Sequence, residues 1–460
     1  MKQFVSLTLL LISVAFPALG QETNAVPGGP SSEEELREAV QIPLLTREDA
    51  VGFTLENNLG IQVSRNQREI DENNASLLNS GYLPTVSAIG GGSIDVQDTE
   101  GVLANGETRT ADGAETRRYN ASLNVNYTLF DGFGRWYDYK RFKERSAQSE
   151  LEVRQTIETT VLQLFSVYYE VARLEENAAN LQEALTISRN RLERARYQFE
   201  FGQNTGLDVL NAEVDVNTDS VNLLNAQQFL RNTKRDLNLI MNRELTTAFA
   251  ADTTVTFLPQ LQIEDIMSAA RENNIRMLLA EKDILISEYS MKATRSGYLP
   301  TIGLTGSYGW NESNNNSPLA FVLQNTSTNI NGGVNVTWNL FDGGSAINNA
   351  RNARITFENQ ELIRQQTELE VERDIQNAYG DYRNALFVLD VQDKNLQTNQ
   401  DNFERSRERY QLGQITSIEF RQAQLNLLQA ELARSQAKYN AKLAELQLLQ
   451  VSGELLNQEF

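Results

Sequence analysis

The amino-acid sequence predicts a chain of mixed α and transmembrane β structure, built as two internal repeats. Three observations predict it. The hexamer SGYLPT occurs at residues 80–85 and again at 296–301, inside a longer series of ordered matches. Four stretches alternate apolar and polar residues with the period of a β-strand. Proline is absent from 85–258 and from 319–460, so long uninterrupted helices are allowed there.

Composition narrows what such a chain does. Its 61 acidic residues against 41 basic ones leave a net charge of -20. That surface repels phosphate backbones, which argues against nucleic acid as a partner. The chain has no His and no Cys. Zinc, haem-thiolate and iron–sulfur sites therefore lose their usual ligands, and imidazole or thiol catalysis is ruled out. No carboxylate pair sits in a recognisable catalytic motif, so no catalytic, metal or cofactor site is expected and the chain reads as a non-enzyme.

The N-terminus begins MKQFVSLTLLLISVAFPALGQ: one Lys, an apolar run, Pro17 and a small-residue end. This reads as a signal peptide, residues 1–20, cut after Gly20; the run is short for an inner-membrane anchor. Residues 21–44, with Pro27, Gly28, Gly29 and Pro30, read as an exposed linker. No later apolar run is long enough for a spanning helix, so membrane contact rests on the β pattern.

The first repeat is expected over 45–260 and the second over 261–452, with a tail at 453–460. Leu45, Glu48, Asp49, Glu56, Asn57 and Asn58 recur 216 residues later as Leu261, Glu264, Asp265, Glu272, Asn273 and Asn274. LFDG recurs after 211 residues, at 129–132 and 340–343, and Gly202 and Gly413 keep that spacing. Each repeat opens with one helix, capped in the first repeat by Thr46 with Asp49 three residues on, and expected to run to the hexamer. There the glycines Gly81 and Gly297 stop the helix and Pro84 and Pro300 forbid its continuation. The hexamer is thus a helix-to-strand joint. Tyr82 and Tyr298 are suited to a membrane–water boundary.

Strands are expected at about 84–97, 118–130, 300–311 and 330–341. Tyr119, Ala121, Leu123, Val125 and Tyr127 alternate with Asn120, Ser122, Asn124, Asn126 and Thr128 in the clearest of them. A transmembrane β-strand takes about 9–11 residues, whereas an average soluble strand has about 5–6. A soluble sheet with one wet face is the competing reading. The polar and charged stretches 98–117 and 312–329 read as loops. Asn120, Asn126 and Asn335 head glycosylation-like triplets but fall on the polar strand face, so they read as lumen residues. Four strands cannot close a membrane barrel, and open edges are not tolerated in lipid. Copies must pool strands: two would give eight, three would give twelve.

Long helices follow each strand pair. Ala178, Leu181, Leu185, Ser188, Leu192, Ala195 and Phe199 keep a three-four spacing, and Leu389, Leu396, Phe403 and Tyr410 stand at corresponding places in the second repeat. This is coiled-coil spacing. The helices turn back at two aligned segments, FGQNTGLDVLNAE from Phe201 and LGQITSIEFRQAQ from Leu412. Thr205 and Thr416 are candidate N-caps for the returning helices, with Asp208 and Glu419 as their capping-box partners.

With signal peptide, duplication, joints and turning points in this order, the chain resembles the TolC family of outer-membrane efflux proteins over nearly all of 45–451. The resemblance implies a homotrimer in the outer membrane of a Gram-negative bacterium. Four strands per chain would form a twelve-stranded barrel, and the helices a periplasmic tunnel. It implies passive conduction in a tripartite efflux or type I secretion system, partnered by a periplasmic adaptor and an inner-membrane pump. The hairpin tips at Gly202, Gln203, Asn204, Thr205 and Gly413, Gln414, Ile415, Thr416 would meet the adaptor. The periplasmic entrance would be lined by Asp208, Asn211, Glu419 and Gln422. The family's gate arginine, two residues after the second tip glycine, is replaced by Ile415, so a closed-state latch of that type is not expected. A secreted coiled-coil stalk or adhesin is the alternative; it leaves the strands and paired tips without a purpose.

Overall fold

The computed structural model describes residues 42–458, apart from Gln260 and Pro318. The expected signal peptide and nearly all of the leading linker lie outside the described residues. A two-residue strand β1 (Leu44–Leu45) leads into α1 (Arg47–Asn57). Thr46 Oγ1 accepts from the Asp49 backbone N–H at 3.1 Å and donates to its carboxylate at 2.8 Å.

The single opening helix expected in each repeat is in fact two. α1 stops at Asn58, whose backbone is extended, and α2 (Leu59–Asn74) begins there. The cause is the Asn58 side chain. Its Oδ1 accepts from the Ile61 N–H at 3.1 Å, capping α2. Its Nδ2 donates to the Ile240 carbonyl at 2.8 Å, 182 residues away. An Asn that can bond backbone groups on both sides competes with helix continuation.

Strands β2 (Thr85–Val102) and β3 (Thr108–Phe130) form an antiparallel hairpin in which Thr85 faces Asn126. They are longer than expected, and most of the loop assigned to 98–117 is strand. A ladder needs no apolar face to pair its backbone. Arg117 pairs with Glu115 in this stretch, and Arg118 pairs with Asp95 across the strands beside it. Then come α3 (Gly134–Glu200), 67 residues and about 100 Å long at 1.5 Å per residue, and its returning partner α4 (Gly206–Ile240). β4 (Ala250–Ala251) pairs in parallel with β1.

The second repeat follows the same order. α5 (Ile263–Asn273) and α6 (Ile275–Thr294) are split at Asn274, which accepts from Arg276 N and Met277 N and donates to the Val451 carbonyl at 2.7 Å. β5 (Thr301–Asn315) and β6 (Gln324–Thr337) form the second hairpin, with Thr301 facing Thr337. α7 (Ser345–Gln411) is again 67 residues long, and α8 (Ser417–Ser452) returns. The expected loop at 312–329 is also largely strand.

The four long strands make one antiparallel sheet in the order β2–β3–β5–β6. The fourth strand, expected at 330–341, ends at Thr337. Its counterpart β3 reaches Phe130 only because β5 supports it there, Phe130 facing Ile302. Residues 338–341 have no such neighbour among the described residues.

The main core sits at mid-length of α3. Phe165, Tyr168 and Tyr169 pack there with Leu237, Met241, Phe249, Tyr439 and Leu446. Each fully buried large side chain contributes about 1.5–3 kcal/mol. The Tyr168 hydroxyl donates to the Leu45 carbonyl at 2.7 Å and accepts from Asp252 N at 3.0 Å, which pins β1 and β4 to the helix. Lys234, Lys438 and Lys442 donate to carbonyls of the crossover between the repeats. On the coiled-coil stripe of α3, Leu185, Ser188 and Ala195 are buried and Phe199 is exposed. The tail, for which the sequence offers no role, enters the core through fully buried Leu455. At Gly453 (φ 77°) any Cβ would lie 2.3 Å from the Asn273 carbonyl oxygen, so only glycine fits.

Candidate functional site

Two sets of features stand at opposite ends of the long helices. The first is the pair of helix–strand joints. Pro84 directly precedes β2 and Pro300 directly precedes β5. In the first joint Gly81 is left-handed (φ 71°), and the Arg135 guanidinium stacks over the Tyr82 ring at 5.0 Å. Arg135 also donates to the Gly81 carbonyl at 2.6 Å, the Thr128 carbonyl at 2.8 Å and Asp131 at 3.0 Å. In the second joint Gly297 lies in a 3-10 turn. The Tyr298 hydroxyl donates to the Ala346 carbonyl at 3.1 Å, and Trp338 Nε1 donates to the Tyr298 carbonyl at 3.3 Å.

The Asp of each LFDG segment caps a long helix. Asp131 accepts from Arg135 N at 2.9 Å; Asp342 accepts from Gly344 N at 3.0 Å and Ala346 N at 2.7 Å. A carboxylate at a helix N-terminus satisfies orphan N–H groups and meets the positive end of the dipole. The two joints also touch each other. At Gly132 (φ 69°) a Cβ would lie 2.9 Å from Leu299 Cβ and 3.0 Å from Ser296 Cα. At its counterpart Gly343 (φ 70°) there is open space.

The second set is the pair of hairpin tips. Gly202 (φ 70°) and Gly413 (φ 72°) close the long helices. Gly202 N donates to the Phe199 carbonyl and Gln203 N to the Gln198 carbonyl; Gly413 N and Gln414 N do the same with Tyr410 and Arg409. This is the Schellman pattern, which needs a left-handed residue and so favours glycine. Thr205 N and Oγ1 both donate to Asp208, at 3.1 and 2.7 Å. Thr416 N and Oγ1 donate to Glu419 at 2.7 and 2.9 Å, and Glu419 N returns a bond to Thr416 Oγ1. The backbone and side-chain bonds from Thr416 hold the Glu419 carboxyl below the usual carboxylate range.

A chain with two strand hairpins, two capped joints and two matched tips is built twice over. The model of the family described as outer membrane efflux protein matches it twice too, over residues 51–243 and 266–454. The chain belongs to that family. TolC of Vibrio cholerae is 23% identical over 358 residues, covering 75% of this chain and 79% of its own. The efflux protein BepC of Brucella suis is 23% identical over 407 residues, covering 87% and 83%. The Campylobacter jejuni CmeC outer membrane channel shares the fold, with a TM-score of 0.72 at 18% identity over 89% of this chain and 86% of that one.

This efflux protein is therefore an outer-membrane export channel, the exit duct of a tripartite efflux or type I secretion system, reaching into the periplasm. The stalk or adhesin reading falls. Among the described residues no helix is long and apolar enough to cross a membrane.

Of the named tip residues, Gly202, Gln203, Thr205, Gly413, Gln414 and Thr416 are exposed, while Asn204 and Ile415 are half-buried. Asn211, Glu419 and Gln422 are exposed and Asp208 is half-buried. Sequence reasoning missed three features of the efflux channel. Arg135 lies outside any pattern it used, and Asp131 and Asp342, though inside the repeated LFDG, were given no capping role. Phe201, Leu207, Leu412 and Ile418 stand exposed at equivalent places beside the two tips; an apolar pair at the same offset was the available signal. The last is a buried charge cluster above the tips, in which Arg421 of α8 pairs with Asp219 of α4 and Arg191 of α3 pairs with Asp215 of α4.

Proposed function

We propose that three copies of the chain close a twelve-stranded barrel and a helical tunnel, through which substrates pass passively. A single observation supports this most. The described sheet has two long edges, β2 and β6, and lipid tolerates no open edge. The repeat relation then states how the edges meet. The two hairpins obey one register: Thr85 faces Asn126 and Thr301 faces Thr337, shifted by the same 216 and 211 residues found in the sequence. Applying those offsets to the β3–β5 pairing places β6 of one copy beside β2 of the next. Ser122 facing Gly309 becomes Gly333 facing Ser93, and Phe130 facing Ile302 becomes Phe341 facing Val86. In that assembly residues 338–341 gain the neighbour they lack here.

In the same reading, Tyr82 and Tyr298 lie at the inner edge of the membrane. The two tips meet the periplasmic adaptor, their exposed apolar residues supplying the contact. Asp208, Asn211, Glu419 and Gln422 line the entrance. The chain has no catalytic role: the pump does the work and selects the cargo. Planar-bilayer recording of the detergent-purified protein tests the proposal. Stepwise conductance from a heat-modifiable species of three chains is expected; a monomer without conductance would refute it.

A further inference from the structure

The apolar face of the sheet runs on into α3. On β5 that face carries Ile302, Leu304, Tyr308 and Trp310. Phe130, the last residue of β3, faces Ile302 and so lies on the same side. Phe133 packs edge-on against Phe130, with ring centroids 5.4 Å apart, and is exposed. One helical turn further, Trp136 is exposed too. There the column changes character. Lys140 Nζ lies 4.9 Å over the Trp136 ring and 5.7 Å over the Tyr289 ring of α6. Lys143 Nζ lies 5.4 Å over the Tyr139 ring. Both lysines reach back a turn towards the sheet, as side chains on a helix lean towards its N-terminus.

The cations around these two are already matched. Arg135 pairs with Asp131, Arg141 with Asp138, Lys282 with Glu144 and Lys292 with Glu288. Lys140 and Lys143 make no ion pair among the described residues, in a chain whose net charge is -20. Lys143 is exposed and Lys140 half-buried. The column continues β3, an inner strand, so it stands away from the sheet edges. Lys140 follows Phe133 by seven residues, about 10 Å of helix. The headgroup layer of a bilayer is about 5–8 Å deep on each side, and the backward lean of one turn brings the ammonium to that depth.

We propose that Phe133, Trp136, Lys140 and Lys143 form a docking site for an acidic phospholipid in the inner leaflet of the outer membrane, one site per chain. The inference rests on the barrel reading above, which puts the apolar sheet face in lipid and the joints at its inner edge. The phosphodiester pairs with the two ammonium groups, which have no carboxylate of their own, while Phe133 and Trp136 lie against the start of the acyl chains. The ring beneath each ammonium holds it in place without neutralising it. A zwitterionic headgroup brings its own ammonium into this positive site and is held less well. The second repeat does not duplicate the arrangement. Trp136, Tyr139 and Tyr289 have Ile347, Ala350 and Asn73 as counterparts, and Arg354, in the place of Lys143, is paired with Glu358.

Native mass spectrometry of the intact, detergent-purified channel tests the site. The protein is titrated with phosphatidylglycerol or with phosphatidylethanolamine of the same acyl chains. One phosphatidylglycerol retained per chain is expected, bound about fivefold or more tightly than phosphatidylethanolamine. Lys140→Gln with Lys143→Gln should abolish that preference, and Lys140→Arg with Lys143→Arg should keep it. Equal affinity for the two lipids, a preference that survives the double Gln variant, or one that the double Arg variant loses overturns the inference. The same spectra count chains. A one-chain species refutes the trimer, and the lipid retained per chain still decides the site, because all of its residues come from one chain.

Discussion

The register derived for the seam between copies is open to a sharp test. Ser93 and Gly333 should face each other across β2 and β6 of neighbouring copies, as Ser122 and Gly309 do within one chain. Both are exposed in the single chain, and a Cβ at Gly333 would meet only Thr305 Oγ1, at an ordinary 3.5 Å. Directly opposed residues of an antiparallel pair have Cβ atoms about 4.5–5.5 Å apart, while diagonal neighbours are about 7–8 Å apart. A disulfide wants about 3.5–4.5 Å, within reach of the first and not of the second. The double variant Ser93→Cys with Gly333→Cys should therefore oxidise readily to covalent trimers on a non-reducing gel. Ser93→Cys with Asn331→Cys or Asn335→Cys, two residues out of register on the same face, should stay largely monomeric. Covalent dimers that never advance to trimers would refute three-fold closure. Faster cross-linking of an out-of-register pair would refute the transfer of the β3–β5 pairing to the seam.

Other outcomes follow from single side chains. Asn58→Ala and Asn274→Ala each lose a helix cap and orphan a carbonyl at the end of a returning helix, so each should cost about 1–2 kcal/mol in denaturant unfolding, nearly additively. Burial, with Glu183 adding to it, raises the Glu431 carboxyl to about 7. A carboxyl raised on folding stabilises the fold while protonated and loses that contribution as pH rises through its folded value. Glu431→Gln should then melt above the parent at about pH 8 and close to it at about pH 5, by thermal scans at both. Glu419→Gln removes a charge from the proposed entrance and should lower the cation preference of the channel in reversal-potential measurements; an unchanged preference takes Glu419 out of the pore.

Much of this protein is written in period and punctuation. The period-two stretches, the proline-free stretches and the paired Gly-x-x-Thr turns point to strands, long helices and tips, because each rests on a local backbone preference. The features that were not legible depend on partners far along the chain. Asn58 breaks a helix because Ile240 offers it a carbonyl 182 residues away. β3 outlasts β6 because β3 is held between β2 and β5, which still pairs it at Phe130, whereas β6 has β5 on one side alone and that pairing ends at Thr337. At the tips, Glu419 is read in the sequence as either a cap or an entrance residue. The structure shows the cap bonds made, and its exposure leaves the carboxylate able to face an aqueous lumen as well. The buried ion pairs above the tips were invisible for a similar reason: Arg191, Asp215, Asp219 and Arg421 belong to three different helices, and no spacing along one helix announces them.

The change of offset from 216 to 211 shows where the duplicated chain was free to vary. Both hairpins keep one register at the end nearest the joints, Thr85 with Asn126 and Thr301 with Thr337. The five extra residues of the first repeat must then lie between those pairs, towards the far ends of β2 and β3, where an irregularity interrupts the ladder between Gln97 and Thr99. Lengthening a hairpin there costs little, because loop-closure entropy grows slowly with length. One residue inserted nearer the joint would turn every apolar strand residue to the opposite face of the sheet. One inserted in α3 or α7 would rotate the rest of the stripe by about 100°. The offset accordingly holds at 211 from the joints through both tips to the ends of α4 and α8, where Ile240 and Val451 receive the same bond from Asn58 and Asn274.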